Sequence, residues 1–232
     1  MPAPDLAPLR SVADRLERLG LGYAFVGGAI VNLLLDRPEF SPARPTDDLD
    51  VIVEAITSAG YAEVEAKLRQ LGFNHDVRPG APRCRWIWAG LTVDIMPAGA
   101  TFQGLNTRGF AEALESASDR TFGHTRIRLV SPVAFLALKD AAFVDRSGGD
   151  FRASHDLEDM LTVIDGRENI VGEVAAAPAG LREHVRESMR RLLAAPSFNE
   201  SLPGHLPSDA ASQGRLGMLR RKLESIAEGA SG

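Results

Sequence analysis

The chain has 232 residues, of which 44% are hydrophobic and 25% charged, and this composition is ordinary for a globular protein that buries a core. Cys84 is the single cysteine, which excludes a disulfide framework and a cysteine-based metal site and predicts a cytoplasmic location. No apolar run has the length of a membrane span, so we expect no membrane partner. The formal charge of −5 argues against general coating of nucleic acid, although a local basic patch could still bind RNA.

The first predicted elements are a helix, a strand and a second, short helix. Apolar residues recur at helical spacing over 6–19, Tyr23–Val26 has the pattern of a buried strand, and 29–35 has the pattern of a short helix. Gly27 and Gly28 lie between this strand and this helix. Glycines at such a position allow backbone N–H groups and a helix N-terminus to approach a phosphate.

Two aspartates separated by one residue follow a proline-rich loop. Because a strand alternates its faces, Asp48 and Asp50 share one face of the strand predicted at 48–53, and the apolar residues take the other face. Like charges this close raise each other's pKa unless a cation lies between them. The pair therefore indicates a divalent metal bound by oxygen ligands, and the nearby glycines add a phosphate site.

A third aspartate lies on a later strand of the same kind. Strands are predicted at 74–77, 83–88 and 91–96, with Gly90 as the hairpin turn between the last two. Asp94 takes the face of its strand opposite the apolar residues. Further helices are predicted at 61–71 and 110–114, and a strand pair at 121–130.

Three carboxylates from two neighbouring strands match what two-metal phosphoryl or nucleotidyl transfer requires. In this scheme Asp48 and Asp50 bridge both metal ions. Asp94 completes the site nearest the attacking hydroxyl and acts as its base.

The second half of the chain is predicted to be helical. A serine-proline pair at 131–132 begins a helix that is apolar nearly all round and contains Lys139, which would neutralise a triphosphate as a point charge. A helix predicted at 151–164 carries Asp156 and Asp159 on one face. Further helices are predicted at 171–177, 181–195 and 215–227, with a linker at 196–214.

Each candidate has an ordinary structural alternative. The DDLD run at 47–50 could be a solvated strand edge, with Asp47 solvated in either case. Lys139 could extend from a core helix to solvent. Arg44 could contact a triphosphate or cap its own loop.

The acids on the later helix and the basic residues near the C-terminus also have more than one possible role. Asp156 and Asp159 could position Lys139 or the substrate, or could form surface salt bridges with Arg152 or His155. Arg182, Arg186 and Arg190 could contact RNA phosphates, but glutamates interleave with them and favour a solvated face. A second basic cluster comprises Arg220, Arg221 and Lys222.

Together these residues resemble a known superfamily. Gly27-Gly28, followed by RPTDDLD at 44–50 and by Asp94, resembles the nucleotidyltransferases of the DNA polymerase beta superfamily. The stretch 131–146, followed by HDLEDM at 155–160, resembles the AbiEii-type branch, which comprises toxins of type IV toxin–antitoxin systems. The resemblance covers about residues 23–164.

The resemblance implies a role for each matched residue. The implied catalytic set is Asp48, Asp50, Asp94 and Lys139, in which the three aspartates bind Mg²⁺. The implied nucleotide-binding set is Gly27, Gly28, Arg44, Thr46, Lys139, Asp156 and Asp159. Gly28 is a departure, because many members have serine there, and the long separation from Gly28 to Asp48 is another.

The resemblance also implies a fold and an activity. We expect an α+β fold, in which a nucleotidyltransferase core with a mixed β-sheet flanked by helices spans 1–130 and a helical C-terminal domain spans 131–232. The expected activity is Mg²⁺-dependent transfer of NMP from an NTP to an acceptor hydroxyl on tRNA, in a growth-inhibiting toxin with an antitoxin protein as partner. Nucleotidylation of a small molecule or protein stays open, and so does a catalytically silent nucleotide-binding module.

Overall fold

The computed structural model describes residues 6–38, 48–55, 57–99, 106–146 and 149–229. By internal contacts the described residues form two compact units. The first comprises those within Met1–Ile30 and Pro45–Ser131, and the second those within Val31–Arg44 and Pro132–Gly232.

The first unit is built on a seven-stranded mixed sheet, which confirms the predicted α+β fold class. Its strands are β1 (Tyr23–Val26), β2 (Asp48–Val53), β3 (Asn74–His75), β4 (Arg85–Trp88), β5 (Leu91–Pro97), β6 (Ser118–Phe122) and β7 (Thr125–Leu129). The spatial order is β3-β4-β5-β2-β1-β7-β6. β2 pairs with β5 in parallel and β1 with β7 in parallel, whereas the other neighbours are antiparallel.

Most helices of the two units lie within a few residues of those predicted from apolar periodicity. In chain order they are α1 (Ala7–Leu16), α2 (Val31–Leu34), α3 (Ser58–Gln70), α4 (Phe110–Glu115), α5 (Pro132–Arg146), α6 (His155–Gly166), α7 (Ile170–Ala176), α8 (Ala179–Ala194), α9 (Pro196–Ser201), α10 (Ala210–Gly214) and α11 (Leu216–Glu228). Within 6–38, 48–55, 57–99, 106–146 and 149–229, no helix is long and apolar enough to cross a bilayer.

The hairpin between β4 and β5 turns where the sequence predicts. Ala89 and Gly90 both have positive φ angles, 49° and 82°, which suits the tight turn that joins two antiparallel strands. The turn sets the register, so that Trp88 pairs with Leu91 and Arg85 pairs with Asp94.

Asp140, on the buried helix α5, has three hydrogen-bonding partners in the second unit. Asp140 is 3% exposed, and its carboxylate accepts hydrogen bonds from His184 Nε2 at 3.1 Å, from Ser188 Oγ at 2.6 Å and from Arg191, all on α8. Burial alone would raise the pKa of Asp140, but these three donors hold that pKa below its ordinary value. The α5–α8 contact is therefore specified by a polar network as well as by apolar packing.

The predicted start of α6 at residue 151 is wrong, because two polar side chains organise a turn before the helix. Asp150 Oδ1 accepts hydrogen bonds from the backbone N–H groups of Arg152 and Ala153. Ser154 is the N-cap, and its hydroxyl accepts a hydrogen bond from the Leu157 N–H. The helix consequently begins at His155.

The predicted linker at 196–214 is also wrong, since it contains α9, a 3₁₀ turn at Leu202–His205 and α10. Phe198 and Leu202 are completely buried, and the Phe198 ring packs edge-on against Phe151 with 5.9 Å between ring centroids. Gln213 Nε2 donates to the carbonyls of three residues of this segment, Pro203, Leu206 and Pro207. A proline-rich composition suggested a linker, but proline at the first position of a helix favours helix formation.

Several basic residues near the C-terminus bind helix ends. Arg186 donates to the Gly229 carbonyl at 3.3 Å, and Arg190 donates to the Ala227 carbonyl at 3.0 Å, at the end of α11. Lys222 Nζ donates to three carbonyls at the end of α6: Ile164 at 2.8 Å, Asp165 at 3.0 Å and Arg167 at 2.8 Å. These side chains satisfy terminal carbonyl groups. Arg190 and Arg221 are nevertheless exposed, as a solvated face requires, and Arg190 also pairs with Glu183 and Glu187.

We expect Phe198→Ala to lower the free energy of unfolding by about 3–5 kcal/mol, because it removes a fully buried aromatic side chain. Glu200→Ala, at an exposed position of the same helix, is the matched control and should change it by less than about 0.5 kcal/mol. Urea denaturation followed by circular dichroism measures both values. Equal, small effects of the two substitutions would mean that 196–214 is a linker after all.

Candidate active site

Three aspartates lie on one face of two paired strands. In the parallel pair β2–β5, Asp50 is directly opposite Asp94, and Asp48 is two residues before Asp50. Paired residues of adjacent strands point to the same face, and so do alternate residues of one strand. The opposite face carries Val51 and Ile95, which are completely buried in the core.

The structure adds a cation that the sequence reasoning missed. Arg85, on β4, holds Asp94 in a two-pronged ion pair, with Nε 2.8 Å from Oδ1 and Nη2 2.7 Å from Oδ2. The same Nη2 lies 2.9 Å from Asp48 Oδ2. Hydrogen bonding to Asp94 is the main cause of a raised Arg85 pKa, so the guanidinium is a permanent charge. One guanidinium therefore bridges two of the three carboxylates.

A signal for this contact was present in the sequence. A hairpin with its turn at Gly90 places Arg85 opposite Asp94, and residues that pair across antiparallel strands face the same side. Counting back from the turn would have identified Arg85 as the neighbour of the third acid.

Gly27 is required by the site for two separate reasons. Its φ angle is +77°, in the left-handed region that favours glycine. A Cβ atom built on Gly27 would lie 2.7 Å from Asp50 Cγ, closer than any side chain tolerates. The backbone of Gly27 thus packs directly against the Asp50 carboxylate, and Gly28 begins the 3₁₀ turn Gly28–Ile30 that follows.

Lys139 belongs to the second unit, where it lies among two acids rather than extending to solvent. Its Nζ is 3.1 Å from Asp156 Oδ1 and 2.6 Å from Asp159 Oδ2. Arg146 forms a further ion pair with Asp156 at 2.9 Å. The two acids of α6 therefore position Lys139, as one of the sequence alternatives held, whereas His155 pairs with Glu158. Contact of Lys139 with a nucleotide stays a prediction.

Three further residues named from the sequence, Arg44, Thr46 and Asp47, lie outside the described residues. The nucleotide contacts expected of Arg44 and Thr46 consequently stay predictions.

The donor set of the first unit suits a hard divalent cation, because it consists of carboxylate oxygens on one face. Across 6–38, 48–55, 57–99, 106–146 and 149–229, however, no group of three or more His, Cys, Asp or Glu side chains is arranged around a metal position. Arg85 donates hydrogen bonds to both Asp94 oxygens and to one Asp48 oxygen. The chemistry of the residues fits Mg²⁺, while the described arrangement is centred on a guanidinium.

The sequence matches no protein-family model and no curated protein. Among solved structures, a crystal structure of an antigenic nucleotidyltransferase-like protein from Paracoccidioides brasiliensis is similar with a TM-score of 0.49 and 19% identity, covering 84% of this chain and 91% of that one. ANT(2'')-Ia in complex with adenylyl-2''-tobramycin also has a TM-score of 0.49, with 13% identity over 82% of this chain and 99% of that one. A solution structure of the antibiotic-resistance factor ANT(2'')-Ia has a TM-score of 0.46, with 15% identity over 82% of this chain and 92% of that one.

We expect Gly27→Ala to destabilise the protein more than Gly20→Ala. Both positions have a left-handed backbone, which costs a non-glycine residue about 1–2 kcal/mol. An added Cβ at Gly20 meets no atom within 4 Å, whereas at Gly27 it collides with Asp50, which adds about 1–3 kcal/mol.

Denaturant unfolding of the two variants measures this difference. Because both substitutions carry the same backbone cost, the comparison isolates the contact with Asp50. An equal loss of stability in the two variants would contradict the close packing of Gly27 on that carboxylate.

Proposed function

We propose that this chain is a nucleotidyltransferase that uses Mg²⁺ to move NMP from an NTP to an acceptor hydroxyl. The observation that carries the proposal is the alignment of Asp48, Asp50 and Asp94 on one face of the β2–β5 pair. Three carboxylates placed together on a strand face are unfavourable unless cations neutralise them. A carboxylate site that requires a divalent cation and lies beside Gly27 and Gly28 suits phosphoryl transfer.

The charges of the cluster support a divalent cation. Three carboxylates and the Arg85 guanidinium leave a formal charge of −2, which attracts divalent cations to the cluster. Mg²⁺ bound there would polarise the phosphoryl group under attack. Asp48 and Asp50 are the proposed ligands for both ions. Asp94, the most buried of the three, is the proposed third ligand and takes the proton of the acceptor hydroxyl.

The proposed triphosphate contacts come from glycine backbone and from lysine. The N–H groups of Gly27 and Gly28 suit phosphate oxygens, because neither residue has a Cβ to keep a ligand away. Lys139 is the proposed counter-charge, and Asp156 and Asp159 hold its ammonium in place. Arg44 and Thr46 complete the proposed nucleotide-binding set.

The proposed acceptor is tRNA, and the proposed biological role is that of a growth-inhibiting toxin with an antitoxin protein as its partner. Support comes from the resemblance of the stretches 131–146 and 155–160 to the AbiEii-type branch, whose members add nucleotides to tRNA 3′ ends. For a toxin of this kind, the proposed cellular location is the cytoplasm, where NTPs, Mg²⁺ and tRNA are available.

A second candidate function is a catalytically silent module that binds nucleotides. One specific observation favours this module: Arg85 already neutralises Asp94 and contacts Asp48. A protein that binds no metal requires such a positive charge beside its clustered carboxylates. The silent module and the nucleotidyltransferase can be distinguished by a product, because only the enzyme releases pyrophosphate.

The test is incubation of the purified protein with each α-labelled NTP, Mg²⁺ and total tRNA. We expect label on RNA with the unaltered protein, and about 100-fold less with Asp48→Asn/Asp50→Asn, because the substitution removes two metal-binding charges and preserves side-chain shape. Asp119→Asn, on the exposed strand β6, removes one charge away from the site and should retain activity.

The outcomes separate the candidate functions. Pyrophosphate release without labelled RNA would redirect the search to a protein or small-molecule acceptor. NTP binding without any pyrophosphate release would contradict the enzyme and support the silent module.

A further inference from the structure

Arg85 occupies the place in the carboxylate cluster where a bridging cation is needed. It lies on β4, and the sheet order places β5 between β4 and β2. Its guanidinium contacts the directly opposite Asp94 on β5 and also reaches Asp48 on β2. A single side chain thus links three adjacent strands through charge.

The two carboxylate contacts of Arg85 differ in strength. Asp94 receives two nearly parallel hydrogen bonds, from Nε and Nη2, and its side chain is 11% exposed. From Arg85, Asp48 receives one hydrogen bond, donated by the Nη2 that also contacts Asp94, and the Asp48 side chain is 40% exposed. Two-pronged, buried ion pairs are held more tightly than single, exposed ones. The Arg85–Asp48 contact is therefore the weaker of the two.

We propose that Arg85 is a positioning residue, which bridges Asp48 and Asp94 in the metal-free protein. A divalent cation must displace the Arg85 guanidinium from Asp48 in order to bind. Arg85 keeps its two-pronged contact with Asp94 and so fixes that carboxylate before and after metal binding. The residue thereby sets the metal affinity of the site. This inference rests on the metal site of the proposed function.

The proposal predicts that the Arg85 charge weakens metal binding. A divalent cation and a guanidinium about 8 Å apart repel each other enough, even with the dielectric constant of water, to lower affinity by roughly fivefold. A cation held by Asp48 and Asp94 would lie closer than that to a guanidinium that contacts both. Removal of the Arg85 charge should therefore tighten metal binding even though it removes an organising contact.

The test is Mn²⁺ binding to the full chain without nucleotide, measured by electron paramagnetic resonance of free Mn²⁺. We expect Arg85→Met to lower the dissociation constant by about fivefold or more. Arg85→Lys, which keeps the charge, should remain within about twofold of the unaltered protein. Equal or weaker binding in Arg85→Met would overturn the proposal.

A matched control separates the local charge from the net charge of the protein. Arg126 is exposed on β7, two strands away from the metal-binding strand β2, or about 10 Å across the sheet at the usual strand spacing. This distance exceeds the Debye length at physiological salt, so Arg126→Met should leave Mn²⁺ affinity within about twofold. A gain equal to that of Arg85→Met would also overturn the proposal.

Failure of this inference is distinguishable from failure of the proposed function. If Asp48→Asn/Asp50→Asn retains the same Mn²⁺ site, the metal site of the proposed function is wrong. If that variant loses the site and Arg85→Met binds no tighter, the metal site stands and the role of Arg85 is wrong.

A measurement on the unaltered protein covers the case in which Arg85→Met does not fold. The ¹⁵Nε–¹Hε signal of Arg85, assigned by its loss in Arg85→Lys, reports on the hydrogen bonds of the guanidinium. We expect addition of Mg²⁺ to shift this signal while the Nε–H remains protected by Asp94. An unchanged signal at saturating Mg²⁺ would overturn the displacement from Asp48.

Discussion

The parallel pairing of β2 with β5 is the constraint on which the site depends. It places Asp50 opposite Asp94 and brings Asp48 to the same face, while Val51 and Ile95 fix the other face in the core. A shift of the pairing by one residue would turn the carboxylates into the core. Burial of the hydrophobic face of the sheet therefore holds the three carboxylates together on the other face, despite their mutual repulsion.

Two neighbouring features make that concentration tolerable. Arg85 supplies a positive charge from β4, and Gly27 at the end of β1 leaves room for the Asp50 carboxylate. Each comes from a strand near the β2–β5 pair, so the sheet brings together the acids, the cation and the glycine. What remains after Arg85 is a formal charge of −2, and this residual charge links the fold to a divalent cation.

The second unit follows a different rule, in which each buried charge has a specific partner. Asp140 accepts from three side chains of α8, and Asp165 pairs with Arg215 at 3.0 Å. Lys222 has a lowered pKa because of burial, and its ammonium donates to the last carbonyls of α6. Buried charges destabilise a core unless they are paired, and here each pair also specifies which helices meet.

Periodicity predicted most of the fold, because apolar spacing reports directly on which face of an element is buried. It located β1 and β2 to the residue, and the buried helix that carries Lys139. It failed at 151–154 and 196–214, where side-chain caps and proline at helix starts decide the structure. The acids of the site were found by strand alternation, which is a local property. Arg85 was missed because its role depends on cross-strand register, and the pairing of Lys139 with Asp156 and Asp159 depends on the packing of two helices.

The proposed binding of divalent cations by Asp48, Asp50 and Asp94 against a nucleoside triphosphate has one most direct test. This test is an anomalous difference map from a crystal of the protein grown with Mn²⁺ and a non-transferable α,β-methylene NTP analogue. We expect Mn²⁺ peaks bound by Asp48 and Asp50, with Asp94 beside the peak nearest the α-phosphate. Mn²⁺ and nucleotide bound elsewhere, with Arg85 still bridging Asp48 and Asp94, would contradict it.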